Sequence, residues 1–330
     1  MYMVAMASAK GLLLLSGGLD SILACKLLQK QNITLEAVHF STPFTRNLYW
    51  PKKASEFLAI PTQFLTIEHE YMDIVREPLY GYGSNMNPCI DCRLMMLGLA
   101  RDHMKQIGAR FIVTGEVVGE RPMTQNRNAM RMIEKRAGLD GLILRPLSAK
   151  LLPPSIPERD GTVKREELLD LQGRGRKSQL EIARSYKVKD APTPAGGCLL
   201  TDPGFSRRVK DLIDHNELTV ANVRLLLYGR HFRLPSGAKV IVGRNHTENE
   251  QLLRHSFATD YIFKAQDGKS PLALLTLRRP DDISIAASLC VTYARRYGAT
   301  EVVYRRKCEV SQSSTLITSQ LEQVHREWLI

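Results

Sequence analysis

The stretch Ser16-Gly17-Gly18-Leu19-Asp20-Ser21 decides which fold this chain is expected to adopt. It follows the apolar run of residues 12–15 and precedes an apolar helical pattern over residues 22–28. The sequence therefore predicts a buried strand, a glycine turn and a helix. Backbone N–H groups in such a turn and at the helix start form an anion site, which Gly17 and Gly18 leave open to close approach.

Three side chains of this stretch add polar chemistry to the predicted anion site. Ser16 and Ser21 supply hydroxyl donors. Phosphates repel the Asp20 carboxylate unless a cation lies between them, so Asp20 is a candidate Mg²⁺ ligand on a bound nucleotide. The stretch lacks the third glycine of the dinucleotide fingerprint and the Gly-Lys-Ser/Thr of the common P-loop. The alternative is an ordinary strand, turn and helix without a ligand.

Composition sets the class of protein and of partner. With 330 residues the chain is long enough for two domains, and its net charge of +12 suggests a polyanionic partner, with plain solubility as the alternative. No apolar run approaches the ~20 residues that span a bilayer. The first ten residues lack the pattern of a secretory signal. We therefore expect a cytoplasmic protein without a membrane partner.

Strands and helices alternate after the first motif. Strand-like runs at residues 35–40, 63–67 and 111–113 are separated by helical patterns, which predicts a doubly wound parallel sheet of the α/β class. Ligands of such sheets bind beyond the carboxyl ends of the strands. We expect Ser16 to Ser21, the end of the second strand and the turn Thr114-Gly115 to converge there. The alternative for Thr114-Gly115 is a plain turn that ends a strand.

Cysteines form the second group of candidate residues. Cys89 and Cys92 follow a Gly/Asn-rich loop and precede a helix predicted over residues 94–106, where the helix N-terminus favours thiolates. A redox dithiol, half of a zinc site and ligands of an iron–sulfur cluster are all consistent with this pair. Cys198 follows two glycines. We prefer the interpretation that it joins Cys89 and Cys92 as the third ligand of a 4Fe-4S cluster, and the alternative is an incidental buried thiol.

Three motifs together resemble one family. They are SGGLDS at residues 16–21, NPCIDCR at 87–93 and VTGEVVGERPMTQN at 113–126. Over residues 8–200 the chain resembles the PP-loop ATP pyrophosphatase domain of the tRNA 4-thiouridine synthase (ThiI-like) family, which has a HUP-like fold. This resemblance implies an ATP-dependent tRNA sulfurtransferase that splits ATP between its α and β phosphates. The family's Gly-Gln pair is Gly119-Glu120 here, so Glu120 receives no role.

The resemblance also implies the site residues and cofactors. Members without a rhodanese domain bind a 4Fe-4S cluster through three cysteines, a pattern that Cys89, Cys92 and Cys198 fit. The pyrophosphate of ATP is expected on Ser16, Gly17, Gly18, Asp20 and Ser21, with Mg²⁺ near Asp20. The adenine is expected between Val38, His39, Phe40 and the Thr114-Gly115 turn. A sulfide or persulfide carrier would supply the sulfur, so Asp20 and the three cysteines are the candidate catalytic residues.

The C-terminal part resembles a different domain. Residues 234–237, 240–245 and 260–265 are similar to an NFACT-type RNA-binding domain, which implies contact with tRNA. We expect a PP-loop domain over residues 1–203 and this smaller α+β domain over residues 204–330. The alternative is a small domain used for dimerisation, so a homodimer is also considered.

Three rival functions remain at this stage. A PP-loop ligase or amidotransferase-like enzyme with zinc on its cysteines would release pyrophosphate without adding sulfur. A thiolase that acts on tRNA cytidine is a nearer variant. An RNA-binding module that only senses nucleotide would bind ATP without releasing pyrophosphate.

Overall fold

The computed structural model describes residues 9–46, 48–188, 198–265, 270–276, 278–294, 301–309, 313–317 and 326–330. The chain divides into two compact units, residues 1–199 and 200–330. Among the described helices, none is both long enough and apolar enough to cross a membrane.

The first unit is built on a five-stranded sheet. Its strands are β1 (Lys10–Leu14), β2 (Thr34–Ser41), β3 (Thr62–Thr66), β4 (Phe111–Val113) and β5 (Ile143–Leu144). All neighbours are parallel, in the order β3-β2-β1-β4-β5. The order reverses between β1 and β4, and in open parallel sheets the crevice beyond that point is where ligands bind. The α/β fold with a parallel sheet is confirmed.

In the described part of the first unit, seven helices accompany this sheet. They are α1 (Leu19–Lys30), α2 (Tyr49–Leu58), α3 (His69–Arg76), α4 (Cys89–Gln106), α5 (Arg127–Arg136), α6 (Ile156–Arg159) and α7 (Lys177–Ser185). Leu13 and Val113 of the sheet share one buried core with Ile22, Cys25 and Leu28 of α1. This packing fixes α1 against the sheet, so the turn between β1 and α1 is held at the carboxyl edge of the strands.

Two helices differ from the sequence expectation. Helix α4 begins at Cys89 rather than at Leu94, because Pro88 caps it and its carbonyl accepts the Cys92 N–H at 2.8 Å. Both cysteines of the pair therefore lie in the first turn of the helix. Helix α3 was not predicted; its buried residues Tyr71, Met72 and Val75 follow helical spacing on a short segment.

The second unit contains a six-stranded antiparallel sheet. Its strands are β6 (Arg230–Arg233), β7 (Lys239–Val242), β8 (Tyr261–Ala265), β9 (Ala273–Thr276), β10 (Glu301–Arg306) and β11 (Ser314–Ile317), in the order β11-β10-β8-β9-β7-β6. Its helices are α8 (Pro203–Asp214), α9 (Val220–Leu225), α10 (His246–His255) and α11 (Asp282–Tyr293). This is the smaller α+β domain that the sequence predicts.

Candidate active site

The turn from β1 into α1 has the geometry of an anion-binding loop. Gly18 caps the helix in extended backbone, and the described side chains give α1 no cap of their own. The Gly18 N–H donates to Ser16 Oγ at 3.2 Å, and the Ser21 hydroxyl donates to the Gly18 carbonyl at 2.8 Å. Uncapped N–H groups at a helix start attract anions. The loop can therefore receive a phosphate.

Gly17 is required at its position for two reasons. Its φ of +78° is a left-handed conformation that glycine adopts without strain. A Cβ there would lie 2.4 Å from the Pro51 backbone nitrogen at the start of α2. The structure thus uses the missing side chain to bring α2 against the loop.

Gly115 brings the end of β4 to the same place. A Cβ on Gly115 would lie 2.5 Å from both the Asp20 carbonyl carbon and the Ser21 nitrogen. The residue after Thr114 therefore packs directly on the backbone of the first turn of α1. Of the predicted convergence, the contact between the phosphate loop and the Thr114-Gly115 turn is present in the structure.

Asp20 lies among charged side chains near the loop. Burial raises the pKa of its carboxyl, and the positive charges of Arg176 and Arg121 act in the opposite direction. Its Oδ1 atom is buried and has no hydrogen-bond partner among the described residues. Glu120 also has a raised pKa, first because of burial and then because of the nearby Asp20 charge. A carboxylate oxygen without a partner is chemically suited to a cation.

The end of β2 supplies the predicted adenine-contacting residues. Val38, His39 and Phe40 are all buried in the protein alone. The Nδ1 atom of His39 is hydrogen-bonded to the Leu15 carbonyl at 2.8 Å, while its buried Nε2 has no described partner. Burial lowers the pKa of His39, so the ring is held neutral. Its contact with Leu15 ties the end of β2 to the residue that enters the phosphate loop.

A buried ion-pair network follows Thr114. The Glu116 carboxylate accepts from Arg93 Nη2 at 2.7 Å, from Arg145 Nε at 2.9 Å and from Thr114 Oγ1 at 3.1 Å. Arg145 also pairs with Glu134 at 2.7 Å. Burial opposes ionisation of Glu116, but the two arginines hold its pKa below the ordinary value. Because Arg93 follows Cys92, this network attaches the start of α4 to the end of β4.

The two cysteines of α4 have different surroundings. The Asn87 amide donates to Cys89 Sγ at 3.1 Å. Burial raises the pKa of Cys92, and a hydrogen bond with Tyr71 only partly offsets this effect. At Cys92, burial therefore opposes the thiolate that the helix start favours.

Tyr71 is an electrostatic neighbour of all three candidate cysteines. Its side chain is 2% exposed, and its hydroxyl is hydrogen-bonded to Cys92. Burial raises the pKa of Tyr71, as do the charges of Cys92, Cys198 and Cys89. All three sulfurs are therefore within electrostatic reach of one phenol oxygen.

Cys198 reaches this region through the segment after β2. Thr45 and Cys198 form an antiparallel bridge, and the Leu199 N–H donates to the Phe44 carbonyl at 2.9 Å. The Phe44 ring lies 5.8 Å from the Tyr71 ring. Cys198 is thus held just beyond the carboxyl end of β2. The two glycines that precede it lie outside the described residues.

The chemistry of this donor set fits an iron–sulfur cluster, since it consists of three thiols beside a single phenol. Within the described ranges, however, the structure contains no group of three or more His, Cys, Asp or Glu side chains placed to hold a metal ion. The three sulfurs therefore share Tyr71 as an electrostatic neighbour without forming a metal-binding group in the described part of the chain. Cys25 and Cys290 are buried in the cores of the two units.

Sequence reasoning missed several residues of this region. They are Pro51, Tyr71, Glu116, Arg121 and Arg145 as contacts or electrostatic neighbours of the site. Only Glu116 had a usable signal in the sequence, because it lies inside the motif that follows β4.

Two family models match the chain. Residues 6–150 match the family described as thiamine biosynthesis protein (ThiI), and residues 229–329 match the NFACT protein RNA binding domain. Both resemblances drawn from the motifs are confirmed by these matches. The first covers the phosphate loop, the Cys89–Cys92 pair and the Glu116 network, and the second covers all six strands of the antiparallel sheet.

Known tRNA-modifying proteins are similar to part of this chain. A tRNA-specific 2-thiouridylase of Helicobacter acinonychis is 34% identical over 31% of this chain and 32% of its own length. A probable tRNA sulfurtransferase of Lysinibacillus sphaericus is 33% identical over 47% of this chain and 39% of its own length. The chain thus spans about a third of the length of the relatives it matches. A 4-thiouridine synthetase–RNA complex with bound ATP is 18% identical, covers 55% of this chain and 52% of that one, and has a TM-score of 0.36.

Proposed function

We propose that this protein is an ATP-dependent tRNA sulfurtransferase, which adenylates a nucleobase carbonyl and replaces its oxygen with sulfur. The observation that carries the proposal is the joint position of two groups at the carboxyl edge of one sheet. The phosphate loop packs on Gly115 after β4, and the Glu116–Arg93 pair attaches the cysteine-bearing start of α4 to that same strand end. Activation and sulfur transfer need such neighbouring sites.

ATP binds at the loop in this proposal. Backbone N–H groups at the start of α1 and the hydroxyls of Ser16 and Ser21 bind the phosphates. Asp20 holds Mg²⁺, a role supported by its buried Oδ1 without a described partner. The adenine lies between Val38, His39 and Phe40 on one side and the Thr114-Gly115 turn on the other. Arg121 and Arg176, whose charges act on Asp20, are additional cations for the polyphosphate.

The reaction has two displacement steps. The carbonyl oxygen of the base attacks the α phosphorus, and pyrophosphate leaves with the electrons of the broken P–O bond. Cations and backbone donors stabilise the charge that develops on the phosphates. A sulfur nucleophile then adds to the activated carbon, and AMP leaves with the original oxygen. The name of the 2-thiouridylase relative specifies uridine, and uridine is the base we propose.

Cys89, Cys92 and Cys198 form the sulfur-handling part of the site. We propose that they hold a 4Fe-4S cluster, a role supported by their common neighbour Tyr71. Held by these three thiols, such a cluster would bind an exogenous sulfide, which is the chemistry that the second step needs. Sulfide supplies the sulfur directly, and a persulfide carrier would supply it together with a thiol that reduces the transferred sulfur by two electrons. The protein's own residues fix the position of the thiols, through Asn87 at Cys89 and Tyr71 at Cys92.

The second unit binds the tRNA in this proposal. The match to an RNA-binding domain and the net charge of +12 support this role. A base inside a duplex is out of reach of the loop, so the target nucleotide must be unpaired or extruded. Location in the cytoplasm and a homodimer remain part of the proposal.

The decisive experiment uses protein purified and reconstituted without oxygen. Unmodified tRNA incubated with Mg-ATP and sulfide should yield pyrophosphate and a thiolated nucleoside, identified by mass spectrometry. Pyrophosphate without sulfur incorporation would indicate the ligase alternative, and neither product would indicate a nucleotide-sensing module. Asp20→Asn keeps the side-chain shape but removes the charge, and it should abolish both products.

Iron content tests the cysteine assignment separately. Cys198→Ala should lose most of the iron and the broad absorption of the reconstituted protein. Cys308→Ala is the matched control, because Cys308 is exposed and lies in the second unit. Equal iron content in the two variants would remove Cys198 from the ligand set.

A further inference from the structure

The second unit contains a charged cluster, largely buried except for the half-exposed Arg278, in which cations outnumber carboxylates. Asp211 accepts from Arg233 at 3.0 and 2.6 Å and from Lys239 at 3.3 Å. Glu217 accepts from Arg233 at 2.8 Å and from Arg278 at 2.5 Å. Three cationic side chains thus share two carboxylates, and each carboxylate already bridges two cations.

Two buried bases in this region, His231 and Lys239, have lowered pKa values, first because of burial and then because of nearby positive charges. His231 is fully buried, and its pKa is well below the ordinary value because of burial and then the charges of Lys239 and Arg208. His231 Nδ1 has no hydrogen-bond partner among the described residues. Burial also lowers the pKa of Lys239 to about 8. His215, which faces Asp211 at 3.5 Å, can only add positive charge when protonated.

A cavity of about 140 Å³ opens onto this cluster. Lys239 and Arg278 line it, and Asn222, Thr276 and Phe257 form other parts of its wall. The Lys239 side chain is only 8% exposed. Its ammonium group has three N–H donors and donates to Asp211 at 3.3 Å. Glu217 also lines the cavity, but both of its oxygens are engaged by arginines.

We infer that this cavity is a binding site for one phosphate group, held by Lys239 and Arg278. A phosphate there would neutralise the excess charge and accept the donors that the two carboxylates leave free. The tRNA backbone is the favoured source, since Lys239 and Arg278 lie within the segment that matches an RNA-binding domain. That choice of source rests on the proposed tRNA substrate, whereas the presence of a phosphate site does not.

The first test measures tRNA binding by fluorescence anisotropy over a range of KCl concentrations. Lys239→Met keeps the length of the buried side chain and leaves Asp211 paired with Arg233. It should weaken binding about tenfold, because a hydrogen bond to a charged group is lost. It should also reduce the slope of log affinity against log salt by about 1, as expected for one lost phosphate contact.

The control and the second variant keep the test decisive. Lys264→Met removes the same charge from an exposed position on β8. A loss for Lys239→Met no larger than for Lys264→Met would overturn the RNA source. If Lys239→Met fails to fold, Arg278→Gln takes its place, since Arg278 is half exposed.

The second test replaces tRNA with inorganic phosphate at constant ionic strength. If free phosphate is the ligand, it should raise the melting temperature of the wild type but not of Lys239→Met, while tRNA affinity is equal in both. If neither tRNA nor phosphate distinguishes the two proteins, the site is refuted. This test uses no ATP and no sulfur, so failure of the thiolation proposal would not affect its result.

Discussion

Arg93 and Glu116 form an ion pair of 2.7 Å that connects the cysteine-bearing start of α4 to the end of β4. Glu116 is 9% exposed at its side chain, and its second oxygen accepts from Arg145 at 2.9 Å. The two arginines therefore depend on one buried carboxylate for much of their charge compensation. The pair makes the position of Cys92 dependent on the sheet.

Glu116→Gln should destabilise the first unit strongly. Breaking a buried pair leaves uncompensated charge, here on Arg93 and Arg145, which typically costs about 3–5 kcal/mol in the free energy of unfolding. Urea unfolding followed by circular dichroism measures this loss. Glu36→Gln is the control, because Lys10 and Glu36 form a partly exposed pair of 2.6 Å and a loss within about 1 kcal/mol is expected. Equal losses would contradict the role of Glu116.

The same carboxylate predicts how stability depends on pH. The pKa of Glu116 is lower in the folded protein than its ordinary value, because the arginines outweigh the opposing effect of burial. The unfolded chain then binds a proton at higher pH than the folded one. The contribution of Glu116 should be complete above the ordinary carboxyl pKa and should disappear as the pH falls through the folded value. Unfolding measured between neutral and acidic pH should show a shallower acid decline for Glu116→Gln than for the wild type.

Tyr71→Phe tests the phenol among the three cysteines. The change removes only the hydroxyl that is hydrogen-bonded to Cys92, so the buried ring and its contact with Phe44 remain. A net loss of about 1 kcal/mol in unfolding free energy is expected for the broken hydrogen bond. Tyr49→Phe is the control on an exposed ring, where little change is expected. A Tyr71→Phe protein as stable as the control would argue against a structural role for this hydroxyl.

Local sequence patterns were sufficient for the parts of the site built from adjacent residues. Ser16 to Ser21 follow an apolar strand directly, and Gly115 follows another, so strand and turn chemistry predicts both. The contact between them depends on the order of strands in the sheet, which the alternation of elements indicates. The α/β fold class could be predicted from the same local patterns and from the alternation of strands and helices.

Pairing between distant residues was not accessible from one sequence. Glu116 and Arg145 are 29 positions apart, and nothing local in the sequence indicates that both are buried together. Tyr71 lies on α3, whose eight residues give too short a periodic signal to predict either a helix or a side chain facing the cysteines. The raised pKa of Cys92 likewise depends on burial by residues from other elements, which the helix-start rule does not consider.

Gly17→Ala tests the phosphate loop itself. An alanine at position 17 would have to keep the left-handed φ of +78°, and its Cβ would lie 2.4 Å from the Pro51 backbone nitrogen. The loop backbone must therefore shift. Its N–H groups would then no longer converge on one phosphate, and Mg-ATP affinity should fall at least about tenfold, since 1.4 kcal/mol of lost contacts suffices. Isothermal titration calorimetry measures this loss. Gly98→Ala is the matched control, because no atom lies within 4 Å of its added Cβ and alanine favours the interior of α4. Unchanged ATP binding by Gly17→Ala would mean that the nucleotide phosphates do not lie on this loop.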